Sequence, residues 1–322
     1  MPTRQQKDPV YQEDRKFVRP ASTFRNFISR DPTSQFPAEK GRYALYISTG
    51  CPWAHRTLIV RGLKHLEGII DLHLVGSLRP PAGWMFDGTF GSPTEDPLHP
   101  GFTTLRQLYE LVEPGYSGRV TRSGTIVNNE SSEIIRMFYT EFDDLLAPEY
   151  REANRPGGGL FPEPLRSQID ELNGWLYNTV NNGVYKTGFA KTQEAYEENL
   201  YPLFTSLDRL EAILASHPDQ AFLFGDHITE ADVRLYTTLI RPSVMTIRHD
   251  YPHLHLWLRR LYWDQGEATA GGAFHKATEP WIKYYGEGYA IGRQAVVAPE
   301  SPLIIPRGPL VLIEPLEEYE KL

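Results

Sequence analysis

The chain is poor in cysteine: of its 322 residues, only Cys51 carries a thiol. This excludes an intramolecular disulfide and any zinc or iron–sulfur centre built from several cysteines, and it fits a reducing compartment. Long apolar runs are missing as well. Leu303-Ile304-Ile305, bounded by prolines, is far short of the roughly 20 residues that a membrane helix needs, so no membrane partner is expected. There is no excess of basic charge either. Lys and Arg number 33 against 41 Asp and Glu, a formal charge of -8, and a protein that neutralises nucleic-acid phosphate runs the other way. What remains is the make-up of a globular protein long enough for two domains, 40% hydrophobic and 23% charged.

Residues 1–39 are polar, with scattered prolines and no sustained period, and read as an irregular N-terminal extension. Arg15 to Arg30 is basic and amphipathic, as in a mitochondrial targeting segment. Asp8, Glu13 and Asp14 oppose that reading, since transit peptides are poor in acids, and a cytoplasmic location is expected.

Residues 40–147 read as an α/β domain. Arg42 to Ser48 has strand composition, Thr49-Gly50 breaks it, and Pro52 to Leu66 is periodic as a helix. Ile69 to Gly76 supplies a second strand, which makes a βαβ unit with parallel pairing. A loop rich in glycine and proline follows over Gly83–Pro100, then a helix over Thr103–Val112, a short strand at Thr125–Val127 and a helix over Glu130–Phe142. Glu149 to Pro164, with three successive glycines, is the linker.

Residues 160–290 read as an all-helical domain, with apolar residues at helical spacing over Leu165–Asn181, Thr192–Ser216, Thr229–Ile240 and Leu254–Trp263. Thr229 and Asp232 have capping-box spacing, with Ile228 as a staple. Residues 291–322 form a proline-spaced tail, expected to lie extended on the surface, and its acidic end, Glu314 to Glu320, reads as a solvated tail. Trp175, Trp257 and Trp263 fall on helix faces and are expected in the core. His249, His253 and His255 have ligand chemistry, but Pro252 interrupts them and no carboxylate or cysteine completes a set, so no metal is expected.

The chemistry centres on Cys51. A lone cysteine can be a small buried hydrophobe. This one follows a strand and a Thr-Gly turn and precedes Pro52 at a helix start, where amides and the dipole favour a thiolate. His55 and Arg56, one turn on, are candidate positive neighbours. Ala54 stands where a dithiol motif has its resolving cysteine, so a mixed disulfide at Cys51 needs an external thiol, for which glutathione is the candidate.

Four stretches then carry a resemblance: STGCPWAHRTLIVRGLKHLEG, TIVNNESSEIIRMF, NNGVYKTGFAKTQEAYEEN and TEADVRLYTTLIR. They resemble, in order, the glutathionyl-hydroquinone reductases, the Xi class of the omega-like glutathione transferases. The resemblance implies a thioredoxin-like, glutathione-binding domain at 40–147 and a glutathione-transferase helical domain at 160–290 that carries the acceptor site. It also implies a homodimer, glutathione as co-substrate, and hydroquinone conjugates as small-molecule partners. Cys51 would be the nucleophile, Tyr185 an acceptor-site tyrosine, and Tyr285, rather than Tyr284, the second one. Trp84 would cover glutathione, Val127 would offer it backbone bonds, and Glu130 and Ser131 would hold its γ-glutamyl end. On the residues alone, other readings stand beside these: Trp84 as a loop anchor, the Val127 side chain as strand core, and a helix cap at Asn128 or Asn129. Thiol transfer, dehydroascorbate reduction and a non-catalytic binding role are the functional alternatives.

Two departures from the family pattern bear on activity. Between Tyr116 and Thr125 the chain lacks the family's Val-Pro strand and its turn, and a second gap follows Arg241. Loss of the first would remove a central strand and part of the glutathione cradle.

Overall fold

The apolar run after Arg42 forms β1, Ala44–Ser48, buried along its whole length. Leu45 and Ile47 point into a large core shared with the helices, while Ala44 and Tyr46 face a smaller cluster with Phe86, Leu105, Tyr109 and Ile126. A strand covered on both faces needs this continuous hydrophobicity. The computed structural model describes residues 16–112, 125–298, 300–305, 311–317 and 320, apart from positions 20, 77, 80–81 and 242–243. β1 pairs in parallel with β2, Asp71–Val75, in register Ala44 with Asp71 through Ser48 with Val75. The crossover is α1, Pro52–Leu63. The hairpin of β3, Leu78–Arg79, and β4, Gly83–Trp84, follows, then α2, Leu105–Val112, and α3, Ser131–Thr140.

The strand expected at Thr125–Val127 is not in either sheet. This stretch is extended and packs in the core, with Ile126 1% and Val127 6% exposed, but its backbone partner is the N-terminal segment. Asn26 donates to the Val127 carbonyl at 2.9 Å, Asn129 to that of Phe24 at 3.0 Å, and Arg25 and Asn128 form an antiparallel bridge. Ladder groups that a sheet strand would have paired are thus satisfied by the extension, which is fastened further by Arg25 to Glu133 and Arg30 to Asp144. The first family gap lies almost wholly outside the described residues, and the second falls against undescribed positions after Arg241.

The linker is pinned rather than loose. Lys64, fully buried, donates to Asp143 at 3.0 Å and Glu152 at 3.2 Å, and Glu152 also accepts the Leu160 amide at 2.5 Å. The three glycines are required by geometry. All have positive φ, and a Cβ on Gly159 would lie 2.4 Å from the Glu152 carboxyl.

The second half is helical: α4, Arg166–Leu176; α5, Gly183–Gly188; α6, Gln193–Ala215; α7, Glu230–Leu239; α8, Val244–Asp250; α9, Pro252–Trp263; α10, Ala273–Thr278; and α11, Tyr285–Val297. Every residue of α7 is buried, so it is the central helix. Its charges are paired: the capping box of Thr229 and Asp232 forms, and Asp232 also accepts from Trp257 Nε1 at 2.9 Å. Trp257 is core as expected, whereas Trp175 and Trp263 are only partly buried and pack at its margin.

Two expectations for the tail fail. A helix, α11, continues to Val297, past position 291. The acidic end is bound, not solvated: Arg259 donates to Glu320 at 2.7 Å and to the Glu314 carbonyl at 3.0 Å, and Trp263 Nε1 takes that carbonyl at 2.8 Å. Arginines on α9 give the acids a partner that charge composition alone does not reveal.

Candidate active site around Cys51

Cys51 caps α1, with its backbone extended (φ -88°, ψ 114°), Pro52 in the first turn and its amide donating to Ser48 at 3.0 Å. It is 5% exposed. The side chain makes no capping bond, and the helical domain places charged and phenolic groups opposite it.

Three groups there interact with Cys51: Tyr185 on α5, Arg241 just beyond α7, and Tyr289 on α11. The two tyrosine hydroxyls are close enough to perturb each other. Burial first, then Cys51, push Tyr185 above the usual phenol range, while Arg19, Arg241 and Tyr289 pull it back. Burial, then Tyr185, hold Tyr289 well above that range. The Tyr185 ring packs on Trp53 at 6.5 Å between centroids, and Trp53 meets Tyr177 edge-on at 5.7 Å.

Arg241 is 3% exposed. Its Nη1 donates to the Thr237 carbonyl and to His55 Nδ1, the latter at 3.3 Å, while Nε and Nη2 have no protein partner. The guanidinium lies 4.5 Å from the centre of the Tyr285 ring. Burial opposes its charge, yet the neighbouring tyrosines and Cys51 outweigh this and raise its pKa.

Of the positive neighbours expected one turn after Cys51, His55 does not supply the charge. Burial first, then Arg241, hold His55 well below the usual imidazole range, so it is neutral at pH 7. Because Nδ1 accepts from Arg241, the ring proton sits on Nε2, facing Thr278 Oγ1 at 3.2 Å, which in turn bonds the Tyr236 hydroxyl at 3.0 Å. Arg56 turns to Trp53, 4.4 Å from the ring centre. Burial and then Arg234 lower it to about 9.

Of the two neighbouring tyrosines, Tyr285 is the inward one, 3% exposed with no protein partner for its hydroxyl. Tyr284 is exposed and packs on Phe90. Glu130, not Asn128 or Asn129, caps α3: its carboxylate accepts from the Ser132 amide at 3.2 Å and hydroxyl at 2.9 Å, and from Ser22 at 3.0 Å. Ser131 is buried, and its Oγ has no protein partner. A cleft of about 470 Å³ opens beside it, lined by Ser132, Arg136, Asn173, Tyr177 and Arg234 among others. Val127 contributes its side chain to the core and its carbonyl to Asn26. Trp84 lies in β4 and packs against the smaller cluster on the other face of β1. Among the described residues, no group of three or more His, Cys, Asp or Glu is placed to hold a metal, and His253 is taken up by Glu211 at 2.7 Å.

Sequence reasoning missed Arg241 and Tyr289. Tyr289 had a signal, since it stands four residues after Tyr285 and so shares a helix face with it. Arg241 had none, because its guanidinium reaches Cys51 and His55 only through the packing of α7 on α1.

Comparison with known proteins agrees with this layout. The model of the glutathione S-transferase C-terminal domain matches residues 193–260. Glutathione S-transferase omega-like 2 of Schizosaccharomyces pombe is 48% identical over 284 residues, covering 83% of this chain and 86% of the relative. Glutathionyl-hydroquinone reductase YqjG of Escherichia coli is 47% identical over 269 residues, covering 77% of this chain and 78% of the relative. The glutathione-bound structure of YqjG matches with a TM-score of 0.74 and 41% identity, over 91% of this chain and 95% of that one. The Xi glutathione S-transferase structure from Phanerochaete chrysosporium matches with a TM-score of 0.82 and 42% identity, over 95% of this chain and 97% of that one. With a helical domain of the transferase type, a cysteine at the first strand–helix junction and this extent of similarity, the chain belongs to the Xi-class glutathione transferase family.

Proposed function

We propose that this protein is a glutathionyl-hydroquinone reductase that removes glutathione from aromatic conjugates. One observation carries the reading. Arg241, Tyr185 and Tyr289 act on the thiol, and two nitrogens of Arg241 are donors that the protein itself does not use, as is the hydroxyl of Tyr285, whose ring lies against the same guanidinium. Such donors suit a reaction that develops negative charge on a ring oxygen.

The Cys51 thiolate, favoured by Arg241, attacks the glutathionyl sulfur. With the ring carbon protonated, so that the conjugate is in its keto form, the bond from sulfur to that carbon breaks, and its electron pair passes to the ring oxygen as an enolate, which is protonated to the hydroquinone. Arg241 and Tyr285 hold the ring oxygen. Tyr185 gives its proton to the carbon and is reprotonated through Tyr289. A second glutathione then attacks the mixed disulfide, so that oxidised glutathione leaves and the Cys51 thiolate returns. The ring carbon is reduced by two electrons, while the thioether sulfur of the conjugate and the thiol of the second glutathione are oxidised to the disulfide.

Ser131, with its unused hydroxyl at the start of α3, would take the γ-glutamyl carboxylate. Glu130 would take the ammonium with the lone pairs that the cap and Ser22 leave over. Trp84 and the backbone of Val127 are carried by the resemblance, as is the homodimer, while a cytoplasmic setting rests on the single cysteine.

The test is turnover of glutathionyl-menadiol with excess glutathione, by the purified protein and by Cys51→Ala. Turnover that vanishes in a folded variant supports the reading. A folded native protein without turnover rejects it.

A further inference from the structure

The N-terminal segment does more than complete the backbone beside Val127. Phe17 stacks on Tyr185 at 6.1 Å between centroids and contacts Phe189 at 5.6 Å. Arg19 lies between the two rings of the site, 4.6 Å from the centre of Trp53 and 4.6 Å from that of Tyr185. Its Nε donates to Asn182 Oδ1 at 2.8 Å, and this bond fixes the plane of the guanidinium. Lys16 pairs with Glu198 on α6 at 2.8 Å, so the segment is held on both sides of the contact. Arg19 is only partly buried.

An arginine held against two aromatic rings has a definite use. Its guanidinium packs over both Trp53 and Tyr185, and its terminal N–H groups form a planar fork of the kind that suits an anionic or phenolic oxygen. Arg241 approaches Tyr185 from the helical domain, and Arg19 from the extension, and both favour negative charge at this tyrosine.

We propose that the segment around Phe17 and Arg19 is a wall of the acceptor site, and that Arg19 is a specificity-determining residue selecting aromatic acceptors that carry ring hydroxyls. This rests on the reductase reading for the identity of the acceptor, but not for its test.

The experiment compares the native protein with Arg19→Ala and Arg19→Lys on two substrates, a glutathionyl-hydroquinone and the mixed disulfide of glutathione with 2-mercaptoethanol. The aliphatic substrate needs the same Cys51 chemistry but has no ring. Arg19→Ala is expected to raise KM for the aromatic conjugate at least tenfold and to lower kcat/KM for it at least tenfold more than for the mixed disulfide. Lysine, lacking the planar fork, is expected to recover less than half of that loss. Equal losses on both substrates, or no loss on the aromatic one, overturn the inference. Binding of the same conjugate to the Cys51→Ser protein, read by tryptophan fluorescence, keeps the two readings apart. If the native protein does not turn over the conjugate, the reductase reading fails, and a Kd raised at least tenfold by Arg19→Ala still supports the inference. An unchanged Kd overturns it.

Discussion

Arg241 donates to Nδ1 of His55 across 3.3 Å, and this contact joins the end of the central helix to the helix that begins at Cys51. The imidazole cannot compete for the proton, because burial and the arginine keep it neutral. It therefore acts as an acceptor that aims the guanidinium, whose Nε and Nη2 have no protein partner.

Replacing Arg241 by methionine removes the positive charge facing Cys51, so the thiol pKa should rise. An opposite charge at close range lowers a pKa by about 1–3 pH units. Alkylation of Cys51 by iodoacetamide, followed against pH, should move upward by roughly one pH unit or more on the same scale. A superimposable profile would count against Arg241 as the thiolate's counter-charge.

Tyr285→Phe separates catalysis from stability. The hydroxyl is buried without a protein partner, so its removal should leave the melting temperature unchanged or raise it, by up to about 1 kcal/mol of stability. Turnover of the aromatic conjugate should fall about 10²-fold, as for loss of one donor to developing charge. Lower stability with full activity would place the hydroxyl in the scaffold instead.

Tyr185 and Tyr289 perturb each other's hydroxyl, so their substitutions should not add. Tyr185→Phe should lower kcat about 10²-fold or more. Adding Tyr289→Phe should cost less than it does alone. Full additivity in the double-mutant cycle would show that the two hydroxyls act separately.

Glu230 has no exposed surface and accepts from Arg136 of α3 at 2.9 Å, Arg234 at 3.1 Å and Asn173 of α4 at 3.2 Å. Glu230→Ala leaves Arg234 buried without its counter-charge, and breaking such a group costs about 3–5 kcal/mol. Urea unfolding should show it. The loss should exceed that of Arg136→Ala, since the Arg136 side chain is 37% exposed.

The extension should loosen in acid. Arg25 first, through a side-chain hydrogen bond, lowers the Glu133 pKa from 4.5. A depressed carboxylate contributes stability that is complete above its unfolded pKa and is lost as pH falls through the folded value. Limited proteolysis near Arg25 should therefore quicken below about pH 4.5, the unperturbed glutamate range, and Glu133→Gln should show the fast rate already at pH 7.

The βαβ unit, the linker and most helices were legible because their signals are local: a continuous apolar strand, helical spacing, and a capping box at Thr229. Cys51 was legible for the same reason, since strand, turn and Pro52 stand beside it in the chain. The rest of the site was not. Arg241, Tyr289 and Arg19 owe their place to contacts between domains and with the extension, and no spacing records these. The strand expected at Thr125–Val127 misled because buried β-branched residues also suit a single extended stretch that bonds a distant segment.

The bond between Arg25 and Glu133 spans 108 positions in sequence. A chain made from its N-terminus has no place to put the stretch from Ser22 to Arg30 until α3 has been synthesised, and pairing over such separations is slow. The extension is thus the first part of the domain to be made and among the last to dock. Until then the backbone from Val127 to Asn129 is an open edge, available to another chain. Once docked, the stretch that carries Phe17 and Arg19 also closes this edge, and its removal should lower soluble yield.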